Sequence, residues 1–366
     1  MNCGLTVPHA NATLKPSVTD RPVLDRDPRQ GRAVLGRSYG TRIVADSGAG
    51  TDRPPAALMD AGGLTLAPGS VQPREGSAWL VDWRGTRGVL RSLPERARRT
   101  ALITDDVIWL HSFLTRLAST EFPAPRPLPC FGGLSWTTEA DVVWEVVSYL
   151  PGQTVGWDAT PSMEEVGVLL ARYHTAARQV LVARQRPTAL PLRAVPEILL
   201  SHGLKTVPPE RSAAIRQLVS DLACDLDETC RQRTEQLVIH GDFTNDNVIA
   251  RGTPPAATGV IDFALAHVEV PLADIGYGLW RSGRPHEQAD YLDVNRVERF
   301  IRGYASVARI SPDQAAVIPL YLRGRGLQMI AKRIRAGRNE TGMLAQVQWL
   351  TANARAVGDA VAAAVS

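Results

Sequence analysis

From about residue 57 the apolar positions fall into short runs bounded by turn residues, the pattern of strands. Leu64-Thr65-Leu66-Ala67 reads as a short strand. A turn-rich stretch, 68–77, carries Gly69, Ser70, Gly76 and Ser77. Trp79-Leu80-Val81-Asp82-Trp83 and Gly88-Val89-Leu90-Arg91 then read as two strands around the turn Arg84-Gly85-Thr86. The period changes over about 104–118, where Val107, Leu110, Leu114 and Leu117 share one helical face. Pro123, Pro125, Pro127 and Pro129 end that helix and start an extended link. Residues 142–150 form a further strand, closed by Pro151-Gly152.

Beyond this point helical periodicity dominates. Ser162 is placed as an N-cap, with Glu164 and Glu165 in the first turn of a helix running to about residue 182. A second helical stretch covers about 209–233, and the chain is helical again from about 285 to its end. Between them, Leu237-Val238-Ile239 is a short buried strand. The expected organisation is α+β: a disordered extension over 1–56, a β-rich unit over 57–150 and a helical unit over 151–366. No internal repeat is visible.

Composition narrows the function classes. The chain has 366 residues, 44% hydrophobic and 21% charged, ordinary values for a globular protein. The net charge is +4, mostly from Arg, without a dense basic run interleaved with aromatics, which argues against nucleic acid as a partner. Cys3, Cys130, Cys224 and Cys230 show no CxxC pair or zinc-ligand spacing and read as free thiols. The N-terminus has no signal-peptide h-region, and no apolar run approaches the roughly 18 residues that span a bilayer. A cytoplasmic protein without a membrane partner is expected, as a monomer or homodimer. Gly36-Arg37-Ser38-Tyr39-Gly40 matches the GxSxG elbow of hydrolases. That motif needs a strand before it and a helix after it, and here it lies in polar linker sequence.

The candidate chemistry lies in His240-Gly241-Asp242-Phe243-Thr244-Asn245-Asp246-Asn247, which follows the apolar triplet. Val248-Ile249-Ala250, a Gly/Pro turn and Gly259-Val260-Ile261-Asp262-Phe263 come next. An apolar strand, an HxDxxxxN loop, a hairpin and a terminal Asp are the parts that phosphoryl transfer from Mg-ATP requires. One carboxylate orients the acceptor hydroxyl and takes its proton. An amide oxygen and a second carboxylate supply hard ligands for Mg²⁺. The hairpin returns Asp262 to the side of Asn247.

This segment resembles the catalytic loop and metal-binding segment of protein kinases. It is more similar still to the aminoglycoside phosphotransferase and choline kinase family, with its HGDxxxxN loop and I-D-F context. Leu272-Ala273-Asp274-Ile275-Gly276 also matches a family element. The resemblance implies a protein-kinase-like two-lobed fold, with a small β-rich N-lobe, a larger helical C-lobe and the nucleotide between them. It implies Asp242 as the base, Asn247 and Asp262 as Mg²⁺ ligands, His240 as a setter of the loop and Asp274 as its brace. Asp274 as an ordinary helix N-cap is the competing reading, and Asp246 reads as a solvated loop carboxylate.

The family's phosphate-gripping Lys is replaced by Arg91, which keeps the charge and can bind phosphate bidentately. No Glu stands at the expected place on the first helix, where Asp105 or Asp106 is the nearest substitute. Gly69 and Ser70 are candidates for covering the phosphates. Ser148 and Leu150, flanking Tyr149, are candidates for holding the base of ATP, with GTP left open as donor. The Arg-rich segment after 280 disfavours a cationic acceptor. The reading is therefore an ATP-dependent O-phosphotransferase acting on a hydroxyl of a neutral or anionic small molecule, with antibiotic inactivation as the leading role. The alternatives are a metabolite kinase of the homoserine or choline kinase type, or a nucleotide-binding pseudokinase. A protein kinase fits less well, because no A-P-E segment follows Asp262.

Overall fold

The computed structural model describes residues 53–366 except 69–77, 94–99, 141, 157–161, 183, 188, 190, 205–206 and 231–234. The readings made for residues 1–52, including Gly36 to Gly40 and Cys3, lie outside the described residues, as do those for Gly69, Ser70, Gly76 and Ser77.

Helix α1 (Ala56–Gly62) ends at Gly63, which takes the left-handed conformation. Its apolar run is too short to show a helical period, so it was not foreseen. Strands β1 (Thr65–Leu66), β2 (Ala78–Trp83) and β3 (Thr86–Ser92) follow. Arg84 and Gly85 both have positive φ, the hairpin turn whose twist suits paired strands. Helix α2 (Thr100–Leu117), the proline link, β4 (Trp136–Glu139) and β5 (Val142–Ser148) complete this part. The five strands form one antiparallel sheet in the order β1-β2-β3-β5-β4. Its apolar face buries Trp79, Val81, Leu90 and Val146 against Leu58 and Leu64. Helix α2 serves two cores: Val107 packs on Val143 of the sheet, whereas Phe113, Leu114 and Leu117 join the helical core.

After β6 (Gln153–Thr154), helix α3 (Met163–Arg178) starts at Ser162 with a full capping box to Glu165. It stops short of the expected end near 182. Beyond it, backbone carbonyls turn to α2: Leu181 accepts from Arg116 at 2.6 Å and Arg184 from the Trp109 indole at 2.9 Å. Helices α4 (Val195–Ile198) and α5 (Pro209–Cys230) lead to β7 (Leu237–Ile239). Then come the hairpin of β8 (Val248–Arg251) and β9 (Ala256–Val260), and β10 (His267–Glu269), which pairs with β7. Five helices close the chain: α6 (Pro271–Ser282), α7 (Val294–Ala305), α8 (Pro312–Arg335), α9 (Thr341–Ala352) and α10 (Ala354–Val365).

The contact between α6 and α8 matters most for the site. A Cβ on Gly276 would stand 2.8 Å from the Tyr321 backbone, and one on Gly326 would stand 2.3 Å from Val347 and 2.6 Å from Trp280. Glycine at these positions lets the helices approach, at the cost of helix propensity. Because α6 follows directly from β10, beside β7, its first turn lies under the loop that leaves β7. Helix α8 is thereby carried to the same loop. The outcome is the expected α+β, protein-kinase-like arrangement, a sheet-bearing N-terminal part followed by a mostly helical one. Among the described residues, no helix is long and apolar enough to cross a membrane.

Candidate active site

The loop after β7 turns at Gly241, whose φ is 74°. A Cβ there would meet the Leu265 carbonyl oxygen at 2.2 Å, so only glycine fits the turn. Beneath it lies Asp274, fully buried in the first turn of α6. Its carboxylate accepts from the His240 N–H at 2.7 Å and the Gly241 N–H at 2.9 Å. His174 donates its Nε2–H to the same carboxylate at 3.2 Å, and its Nδ1 accepts from the Tyr304 hydroxyl at 2.8 Å. Burial alone would raise the Asp274 carboxyl, but the His174 hydrogen bond and the neighbouring His240 hold it below its ordinary value. The N-cap alternative fails, since the cap of α6 is Val270.

His240 donates from Nε2 to the Ile261 carbonyl at 2.9 Å, and its Nδ1 accepts from the Asp242 N–H at 3.3 Å. The ring lies 4.6 Å from that of Phe263. With both nitrogens committed to backbone, His240 ties the loop to the end of the hairpin. Asn247 donates its side-chain amide N–H to the Asp242 backbone carbonyl at 2.9 Å, and its backbone carbonyl accepts from the Ile261 N–H at 2.8 Å. These bonds bring Asp242, Asn247 and Asp262 to one place. Asp262 adopts a left-handed conformation, φ 61°, a strained backbone state that clusters at functional sites. With its amide nitrogen engaged, Asn247 has its oxygen to offer a cation. One amide oxygen and one carboxylate are hard donors that suit Mg²⁺ arriving with phosphates.

Arg91 on β3 reaches this group from the sheet. Its Nη1 donates to Asp262 Oδ1 at 3.1 Å and its Nε to Glu145 Oε1 at 2.5 Å. The acid beside Arg91 is thus Glu145 on β5, in place of the helix acid considered from sequence. Asp106 is instead ion-paired with Arg186. Helix α2 still contributes: His111 donates from Nε2 to Glu145 Oε2 at 2.5 Å, and its Nδ1 bonds the Ser135 hydroxyl at 2.7 Å. Burial opposes ionisation of Glu145, yet Arg91 and His111 bring its carboxyl down to about 2. One signal for it stood in the sequence, a lone charge inside the apolar run Val142-Val143-Trp144-Glu145-Val146-Val147.

Two further cations meet the loop, and neither was singled out beforehand as a site residue. Arg325 of α8 donates from Nη2 to Asp242 Oδ1 at 2.5 Å, with its guanidinium 4.5 Å above the Tyr277 ring and a further bond to Gln328. Its side chain is only 4% exposed. The sequence signal was Gly324-Arg325-Gly326, two glycines inside a helical pattern. Arg281 of α6 pairs with Asp246 at 2.5 Å. Asp246 is therefore not the solvated carboxylate expected. Burial pushes it up to about 6, Arg281 opposing and Asp242 and Glu287 reinforcing that rise.

At the candidate purine site, the Ser148 N–H donates to the Arg126 carbonyl at 2.7 Å and the Tyr149 N–H to the Arg87 carbonyl at 2.9 Å. Those two amides are taken up by the fold. Leu150 lies just beyond the strand.

The chain is similar to several known proteins in sequence and in fold. The homoserine kinase of Phenylobacterium zucineum (strain HLK1) is 24% identical over 276 residues, covering 75% of this chain and 81% of the relative. That of Sinorhizobium medicae (strain WSM419) is 25% identical over 278 residues, covering 76% and 81%. Among solved structures, a microcompartment-associated aminopropanol kinase superposes with a TM-score of 0.60 at 16% identity, covering 81% of this chain and 94% of its own. Amicoumacin kinase hAmiN superposes with a TM-score of 0.59 at 16% identity, covering 83% and 92%. At such identity these superpositions speak for the fold. The model of the phosphotransferase enzyme family, APH, matches residues 74–310, more than half of the chain. The chain belongs to the APH phosphotransferase enzyme family, whose members act on hydroxyl groups of small molecules.

Proposed function

We propose that this phosphotransferase moves the γ-phosphoryl group of ATP to a hydroxyl of a neutral or anionic small molecule, with Asp242 as the base. The observation that carries the reading is the convergence of Asp242, Asn247, Asp262 and Arg91 through the bonds described above. Asp242 orients the acceptor hydroxyl and takes its proton as the oxygen bonds to phosphorus and the bond to the departing ADP breaks. Bound Mg²⁺ supplies positive charge against the phosphates, and Asn247 and Asp262 are the residues to hold it. Arg91, held by Glu145, is placed to grip phosphate oxygens. Leu150 remains as the backbone donor for the base edge. His240 and Asp274 position the loop and touch no substrate. The β-rich part up to about residue 150 acts in this reading as the nucleotide lobe.

The sequence relatives named above are homoserine kinases, which moves a hydroxylated metabolite ahead of an antibiotic as acceptor. The test is mass spectrometry of products from Mg-ATP with a panel of hydroxylated metabolites and antibiotics, comparing wild type with Asp242→Asn. Addition of one phosphoryl group, lost in the variant, supports the reading. An equal yield from the variant removes Asp242 as the base.

A further inference from the structure

We propose that Arg325 is the acceptor-recognition residue, and that the acceptor carries an anionic group, such as a carboxylate, a few bonds from its reactive hydroxyl. The inference rests on the kinase reading above, with Asp242 as the base.

Arg325 Nη2 occupies Oδ1 of Asp242, the carboxylate that has to reach the acceptor hydroxyl, so the two compete for one group. Yet the structure invests heavily in putting a guanidinium there. Glycines at 276 and 326 let α8 lie close to α6, and the Tyr277 ring and Gln328 hold the guanidinium in place. Bringing a buried cation to one carboxylate is costly unless it has further work. The fork is also incompletely used: Nη2 meets Asp242 and Nη1 meets Gln328, but the buried Nε has no acceptor among the described residues. An anionic acceptor resolves both points. Its charge shares or takes over Arg325, and Asp242 turns to the hydroxyl. The neighbouring Asp246 is already paired with Arg281, so it does not offer a cationic acceptor an open carboxylate. A polycation must displace Arg325 from Asp242 and is disfavoured.

The probes are L-homoserine and 4-hydroxybutyrate, their amides, and kanamycin. Binding is measured calorimetrically with Mg²⁺ and a non-hydrolysable ATP analogue, on wild type, Arg325→Gln and Arg325→Lys, with phosphoryl transfer followed in parallel. Arg325→Lys keeps the charge and guards against a folding failure of the glutamine variant. The proposal expects at least one acid to bind wild type tenfold or more tightly than its amide. That preference should vanish in Arg325→Gln and be partly kept in Arg325→Lys. Acids and amides binding wild type alike, no acid binding, or an undiminished preference in a folded Arg325→Gln variant overturns it. Acid-selective binding without phosphoryl transfer would leave the anion site standing and remove the kinase reading instead.

Discussion

Arg91 and Glu145 face each other directly across β3 and β5, joined Nε to Oε1 at 2.5 Å. Opposed residues on neighbouring antiparallel strands project to the same face, so the pair forms as the sheet forms. The phosphate-facing cation is therefore oriented by its own sheet, while helix α2 supports the acid through His111. Glu145→Gln should loosen Arg91 and leave it partly uncompensated. We expect a stability loss of about 3–5 kcal/mol in denaturant unfolding. Weaker nucleotide binding by calorimetry should accompany it, with Arg91→Lys weakening nucleotide binding about tenfold through loss of the bidentate fork.

The same carboxylate makes the protein acid-sensitive in a defined window. Glu145 has a folded value of about 2 against an ordinary 4.5. Its contribution is complete above about 4.5 and is lost as pH falls toward 2, a change of about 3 kcal/mol. Unfolding free energies measured across that range should show the loss in wild type and lack it in Glu145→Gln.

Asp246 has the opposite sign. Its folded value of about 6 lies above the ordinary 3.8, so the folded state holds the proton more tightly. Stability should fall as pH rises from about 4 to 6, again by about 3 kcal/mol. Asp246→Asn should flatten that slope, which a pH series of thermal melts would reveal.

If Asp242 is the base, Asp242→Asn should lower turnover by about 10²–10⁴ while Mg-nucleotide affinity stays unchanged. The asparagine oxygen can still accept from Arg325, so the contact that holds α8 to the loop is largely kept. Equal losses in turnover and nucleotide affinity would point to a collapsed site in place of a missing base.

Asp274→Ala removes the acceptor for the His240 and Gly241 N–H groups, both buried. Each orphaned donor costs about 1–3 kcal/mol. A lower melting temperature and lost turnover are expected together, with Asp274→Asn milder in both. Turnover unaffected by the alanine variant would show that the loop holds its shape without the brace.

Gly326→Ala tests the delivery of Arg325 to the loop. The added methyl would stand 2.3 Å from Val347 and 2.6 Å from Trp280, so α8 must shift. An overpacking cost of about 1–3 kcal/mol is expected. If Arg325 binds the acceptor, KM for the acceptor should rise while nucleotide affinity is kept.

Much of the fold was legible because its signals are local. The β2–β3 hairpin followed from two apolar runs around Arg84-Gly85, and the start of α3 from Ser162 with Glu165 three residues on. The loop from His240 to Asn247 was legible for a similar reason, since its residues lie close in sequence and curl onto one another. What escaped was short or remote. Helix α1 and strand β4 are too brief to display a period. Asp246 was misjudged because its ion-pair partner, Arg281, lies on another element.

By itself, the sequence determined the family, the succession of a sheet-bearing part and a mostly helical part, and the loop whose residues point to phosphoryl transfer. These depend on period, caps and spacing, all of which act over a few residues. Tertiary structure decided which charges meet that loop. Glu145 lies 54 positions from Arg91, and Arg325 lies 83 from Asp242. Such pairs form only once strand register and close helix packing bring distant segments within a few ångströms, and neither register nor packing is written in any short stretch of the chain.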